Sequence, residues 1–224
     1  MRLDLRGIRA ALLDLDGTLV DTLPDFVVVL DLTLRELGLP TVTPEFLERT
    51  IGKGSEHLIR SILQAVGAHA SLFDTTYAVY QRHYLALNGR HASVYPGVRE
   101  GLQGLHAAGW RLACVTNKPL AFARPLLEAK GLARWFEAIY GGESFERRKP
   151  DPLPLVEAAK ALGSTTAATL MIGDSANDAA AARAAGCRVV LVRYGYNHGE
   201  PIERVDADAW IDRIDQLLPL PPLH

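Results

Sequence analysis

Apolar residues along this chain fall into two regimes. Five short runs, Ile8 to Leu13, Trp110 to Thr116, Phe136 to Tyr140, Ala168 to Ile172 and Arg188 to Val192, alternate with longer stretches in which apolar positions recur three to four residues apart. Short runs read as strands and the recurring pattern as amphipathic helices, so their alternation predicts crossover units on a parallel sheet. The expected fold class is α/β: a doubly wound, Rossmann-like parallel-sheet core with an inserted helical domain. Nearly a hundred residues separate the first run from the second, far more than one crossover helix needs. Within that interval Leu58, Ile59, Ile62, Leu63 and Val66 trace one helical face. Phe26 to Leu37 and Leu72 to Leu87 read as helices as well, with Pro24, Pro44 and Gly67 as punctuation. Residues 20–90 are therefore expected to form a helical cap, and residues 1–19 and 91–224 the α/β core. Tyr95-Pro96-Gly97-Val98 returns the chain to that core, ahead of a helix through Ala107 that leads into the second strand.

Polar residues gather where the apolar runs stop. The first run ends in Asp14-Leu15-Asp16-Gly17-Thr18. Alternate residues of a strand face the same way, roughly 7 Å apart, so both carboxylates are expected to reach one cation or one small ligand. Gly17 permits the sharp exit that follows. Val115-Thr116-Asn117 closes a second run, Gly173-Asp174-Ser175-Ala176-Asn177-Asp178 follows a third, and Arg148-Lys149-Pro150-Asp151-Pro152 reads as the opening of a helix. In open parallel sheets ligands bind beyond the carboxyl ends of the strands, near a switch in strand order, where Asp14, Thr116 and Asp174 would converge. Taken singly these motifs are bland. Asp-x-Asp-Gly is often a polar turn, Thr-Asn an ordinary helix cap, and a lone lysine a solvated side chain.

Composition narrows the field. The chain has 224 residues, 48% of them hydrophobic, which is ample for a packed core. A formal net charge of -2 provides no basic field for nucleic acid or an anionic membrane surface. Only two cysteines occur, Cys114 in an apolar strand and Cys187 beside another, which suits plain packing in a reducing compartment. No signal-like amino terminus and no long uninterrupted apolar run is present, so a cytoplasmic protein is expected. His57, His69, His83, His91, His106, His198 and His224 are scattered and form no metal-type pair.

The four motifs together, Asp14-Leu15-Asp16-Gly17-Thr18, Thr116-Asn117, Lys149-Pro150 and Gly173-Asp174-(x3)-Asp178, resemble the signature motifs of the haloacid dehalogenase superfamily of phosphohydrolases, in the family's order and over nearly the whole chain. Thr116-Asn117-Lys118-Pro119, Gly173-Asp174-Ser175-(x)-Asn177-Asp178 and the segment Tyr194 to Pro201 resemble most closely the branch that converts 2-phosphoglycolate to glycolate and phosphate. The resemblance implies that Asp14 is the nucleophile, forming an aspartyl-phosphate, and that Asp16 is the general acid and base. The latter role requires a raised pKa at Asp16. It further implies that Thr116, Asn117 and Lys149 bind phosphate. The metal ligands would be the Asp14 carboxylate, the Asp16 backbone carbonyl and Asp174, with Asp178 an outer carboxylate that orients metal waters or pairs with Lys149. Magnesium is the expected ion, because the donors are hard oxygens and no zinc-type cluster exists. Substrate choice would come from the cap, where Lys53 and Ser55, in Thr50-Ile51-Gly52-Lys53-Gly54-Ser55, are expected to read a substrate carboxylate. The expected partner is a small phosphate ester, with no nucleic acid or membrane, for a chain acting as monomer or homodimer. Phosphatases of other small esters, a sugar phosphomutase, a phosphonate hydrolase and a catalytically silent binding module remain as alternatives.

Overall fold

The structure is a computed structural model that describes residues 3–220; His224 lies outside them. The chain runs β1 (Ala10–Leu13), β2 (Val20–Asp21), α1 (Leu23–Glu36), α2 (Pro44–Thr50), α3 (Ser55–Ala65), α4 (Phe73–Leu87), β3 (Ser93–Val94), α5 (Val98–Ala107), β4 (Arg111–Val115), α6 (Leu120–Ala129), β5 (Ala138–Tyr140), α7 (Leu153–Ala161), β6 (Thr169–Gly173), α8 (Ala176–Ala185), β7 (Arg188–Val192) and β8 (Ala209–Ile211). Six strands form one sheet in the order β5-β4-β1-β6-β7-β8, and each of its pairings is parallel. The fold is α/β, doubly wound and Rossmann-like.

Strand order explains where the site lies. From β1 the chain crosses to β4 on one side, and the later strands β6, β7 and β8 extend the other. The switch in direction therefore falls at β1, whose carboxyl end opens between those of β4 and β6. As the central strand, β1 is buried on both faces, hence its uninterrupted apolar run. Ala11, Leu13 and Leu15 join Leu102, Leu105 and Leu126 of α5 and α6 on one face, whereas Ala10 and Leu12 meet Leu155, Ala158 and Ala182 of α7 and α8 on the other.

The interval after β1 holds α1 to α4. Their apolar faces form a separate core around Phe26, Leu30, Ile59, Ile62, Tyr80 and Tyr84, and this core also takes in Phe122 of α6 and Tyr196. The chain enters and leaves the helical interval through β2 and β3, which pair antiparallel with Val20 opposite Val94 and Asp21 opposite Ser93. Asp25 fastens this crossing. Its buried carboxylate accepts hydrogen bonds from the backbone N–H groups of Gly89 (2.6 Å), His91 (2.7 Å) and Ala92 (3.1 Å).

Five elements depart from the sequence reading. Pro44 begins α2 rather than merely punctuating, with the Thr43 hydroxyl capping the helix through the Phe46 N–H at 3.2 Å. β2, β3 and β8 are two or three residues long, too short to register as periodic segments. The run around Lys149 does not open a helix directly, since α7 begins only at Leu153.

Candidate active site

Three carboxylates meet beyond the sheet. Asp14 follows β1, Asp174 follows β6, and Asp178 lies in the first turn of α8. All three are buried, and one oxygen from each lies within 4.8 Å of the others. Local sequence makes this crowding possible. A Cβ on Gly173 would sit 2.4 Å from the Asp178 Cγ, and one on Gly195 would sit 2.2 Å from the Asp174 Cβ. Gly17, at φ +82°, is pressed in the same way against the Asp174 carboxylate. Glycine is thus required here for close approach and, at Gly17, for conformation as well.

Hydrogen bonds fix each acid. Asp14 Oδ1 accepts from the Leu15 N–H at 2.7 Å. Asp174 accepts from the Thr18 hydroxyl at 2.8 Å and from the Tyr196 N–H at 2.6 Å. Asp178 Oδ2 accepts from the N–H and hydroxyl of Ser175 and from the Asp174 N–H, completing a capping box at the start of α8. Lys149 Nζ is wedged among them, 2.7 Å from Asp178 Oδ1 and 3.1 Å from Asp14 Oδ2. Its pairing with Asp178 is the contact anticipated for that outer carboxylate.

The electrostatics are lopsided, with three buried acids facing one buried ammonium. Burial, reinforced by Asp178 and Asp16 and opposed by Lys149, pushes the Asp14 carboxyl up to about 6. Burial and the charges of Asp178 and Asp14 raise Asp174 well above the usual carboxylate range. Burial alone would lower the Lys149 ammonium, but the two carboxylates outweigh it and raise its pKa. A hard-oxygen site short of positive charge, with its donors already gathered, fits a divalent cation held by oxygen ligands.

Asp16 lies beside this cluster rather than in it. β1 ends at Leu13, and the chain then turns, so strand alternation no longer governs the Asp-x-Asp pair. The Asp16 carboxylate lines the same cavity as Asp14 and is held by Lys118, whose Nζ donates to it at 3.0 and 3.2 Å. Only the Asp14 side chain belongs to the carboxylate cluster; the Asp16 side chain does not.

A cavity over Asp14 is lined by Asp14, Asp16, Thr116, Asn117 and Lys118 from the core, and by Phe26, Ile51, Gly52, Gly54, Ser55 and Leu58 from the helical interval. The Asn117 carboxamide is spent on two carbonyls, those of Gly52 (2.9 Å) and Lys149 (2.8 Å), so it ties the loop before α3 to the Lys149 loop. Ser55 lines the cavity, but Lys53 does not. Flanked by Gly52 at φ +105° and Gly54 at φ +91°, Lys53 is exposed.

Sequence reasoning passed over three residues. Lys118 was visible only as part of Thr116-Asn117-Lys118-Pro119, while its partners lie 34 and 102 positions away. Tyr196 clamps Asp174 through its N–H, and its hydroxyl accepts from the Thr22 and Leu23 N–H groups at 3.0 Å while bonding Asp21. His198, at φ +52°, bonds the Asn177 carboxamide and the Arg49 carbonyl. Tyr196 and His198 both lie in Tyr194 to Pro201, the segment whose resemblance was the available signal. Cys114 and Cys187 are buried free thiols, and among the described residues no helix is long and apolar enough to cross a membrane.

Comparisons with known proteins show which chains this one is similar to. A family model described as haloacid dehalogenase-like hydrolase matches residues 11–192. A phosphoglycolate phosphatase of Thiobacillus denitrificans is 43% identical over 205 residues, 90% of each chain. A plasmid-borne phosphoglycolate phosphatase of Cupriavidus necator is 45% identical, over 93% of this chain and 90% of its own. A crystal structure described as a predicted phosphoglycolate phosphatase from Haemophilus somnus superposes with a TM-score of 0.92 at 31% identity, over 96% of this chain and 98% of that one.

Proposed function

The chain belongs to the haloacid dehalogenase-like hydrolases, and on that footing we propose that it is a magnesium-dependent phosphomonoester hydrolase converting 2-phosphoglycolate to glycolate and phosphate. The observation that carries this reading is the buried Asp14–Asp174–Asp178 cluster with its single lysine, at the switch point of the sheet. The names of the two relatives at 43% and 45% identity supply the substrate.

We assign the metal to the Asp14 and Asp174 carboxylates and the Asp16 backbone carbonyl, with Asp178 beside it. When bound, a divalent ion supplies charge that offsets repulsion between the phosphate dianion and the acids. The chain's own residues account for the rest. An Asp14 oxygen attacks phosphorus, forming the aspartyl-phosphate as the ester P–O bond breaks. Asp16, on the cavity wall, donates a proton to the departing alkoxide oxygen. Asp16 then takes a proton from the water that attacks the aspartyl-phosphate, and cleavage of the P–O bond to Asp14 restores the carboxylate and releases phosphate. Lys149 holds Asp14 in place and faces the charge that develops on the phosphoryl oxygens. The Thr116 hydroxyl and the backbone of Asn117 serve those oxygens too, since the Asn117 carboxamide is committed elsewhere.

Residues 20–90 act in this reading as a lid over the leaving group. Phe26, Ile51, Ser55 and Leu58 of these helices and their loops stand over Asp14. In this reading the substrate enters as the helices swing on the β2–β3 ribbon. The cytoplasm is the compartment we assign, in keeping with two buried free thiols. The test is release of inorganic phosphate from 2-phosphoglycolate by purified protein with magnesium or with chelator. Turnover should require the metal and vanish in Asp14→Asn; equal rates with and without Asp14 would refute the nucleophile.

A further inference from the structure

Lys118 is a buried charge that this reaction scheme leaves without a task. Its side chain is 2% exposed. Its Nζ donates to Asp16 and, at 2.5 Å, to the Tyr84 hydroxyl, and it lies 4.7 and 4.5 Å from the ring centres of Phe26 and Tyr84. Removing an ammonium from water is costly, and one carboxylate and two aromatic faces hold this one at a fixed point of the cavity wall. Among the residues lining that cavity, Lys118 alone is cationic. The other candidate cations are committed or outside. Lys149 sits between Asp14 and Asp178, Lys53 is exposed, and Arg148 is 42% exposed and faces Glu56.

Geometry connects Lys118 to the leaving group. Asp16 must reach the ester oxygen in order to protonate it, and Lys118, on the wall of the same cavity, is the immediate partner of Asp16. In 2-phosphoglycolate a single methylene separates that oxygen from the carboxylate. A leaving group seated against Asp16 therefore carries its negative end to the neighbourhood of Lys118. We propose that Lys118 is the specificity-determining residue, its ammonium receiving the substrate carboxylate and so selecting a small anionic leaving group over neutral ones. This inference rests on the phosphoglycolate reading above, and it gives the task first expected of Lys53 to a lysine of the core. A purely structural alternative exists, since Lys118 also bridges α4 of the lid to the core.

The experiment compares 2-phosphoglycolate with ethyl phosphate, which has a similar carbon skeleton and no carboxylate. Wild-type protein should prefer 2-phosphoglycolate; indifference overturns the substrate reading, and this inference with it, before any lysine is changed. In Lys118→Gln, whatever loss both esters share through Asp16, the ratio of kcat/KM for 2-phosphoglycolate to that for ethyl phosphate should fall about 10-fold or more. An equal fall for both esters, the signature of a structural bridge, overturns the assignment. A second measurement leaves Lys118 in place, so that it survives any folding defect in Lys118→Gln. In magnesium-loaded Asp14→Asn protein with 15N-labelled lysine, 2-phosphoglycolate should shift the Lys118 Nζ resonance and ethyl phosphate should not. Identical responses to the two ligands also overturn the assignment.

Discussion

Asp14 has to be both crowded and reactive, and its neighbours show how far those demands pull apart. Replacing it by Asn removes one of three buried charges while keeping the shape. We expect Asp14→Asn to lose phosphate release by at least ~10⁴-fold, as removal of a covalent nucleophile does, and to melt no lower than wild type in the absence of metal. Loss of both activity and melting temperature would mean that Asp14 holds the fold rather than the phosphoryl group. Lys149 predicts the opposite pattern. Its removal leaves Asp14 and Asp178 facing each other without their shared ammonium, and deleting one partner of a buried ion pair costs about 3–5 kcal/mol. Lys149→Met should accordingly be destabilised by that order in urea titrations of metal-free protein, and magnesium should restore part of the loss.

At the scale of elements, what could be read from sequence follows the length of each segment and the reach of each contact. β1, β4, β6 and β7 announced themselves because central parallel strands are buried on both faces and read as unbroken apolar runs. The motifs at their ends were legible for the same reason: an apolar run that stops at a carboxylate marks a strand end. β8 is three residues, and each strand of the β2–β3 ribbon two, too few to show alternation. β1 ends at Leu13, so the turn that follows, rather than strand alternation, brings Asp14 and Asp16 to one cavity. The bond from Lys118 to Asp16 spans 102 positions, and no local pattern could announce it. Asp25 is another such case. Its carboxylate collects three backbone N–H groups from the return segment, 64 to 67 positions on. Asp25→Ala strands those donors, and at about 1–3 kcal/mol for each buried unsatisfied group it should lower stability by several kcal/mol. Hydrogen exchange should quicken first at Gly89, His91 and Ala92, and unchanged protection there would show that the carboxylate does not fasten the ribbon.

For the molecule as a whole, the acidic cluster couples stability to pH and metal together. In metal-free protein the Asp14 carboxyl lies at about 6, above the ~3.9 of an unfolded chain. The folded state therefore keeps a proton that the unfolded state has given up. Stability from this group falls as pH rises from roughly 4 to 6, and the full penalty stands above that. Asp174 is raised in the same sense and adds to it. A cation bound to the ionised acids reverses the penalty, so magnesium should raise the melting temperature more at pH 8 than at pH 5, and Asp14→Asn should shrink that difference. An equal gain at both pH values would separate metal binding from these acids. One further consequence lies in the β2–β3 ribbon. Because Val20 stands opposite Val94 and Asp21 opposite Ser93, everything between those pairs is, to the sheet, one loop with adjoining ends. Such an insert can be exchanged without disturbing the register of the six-stranded sheet: a chimera carrying a foreign segment spliced at these four residues should keep its phosphoryl-handling half, with Lys118 still on the core side of the splice.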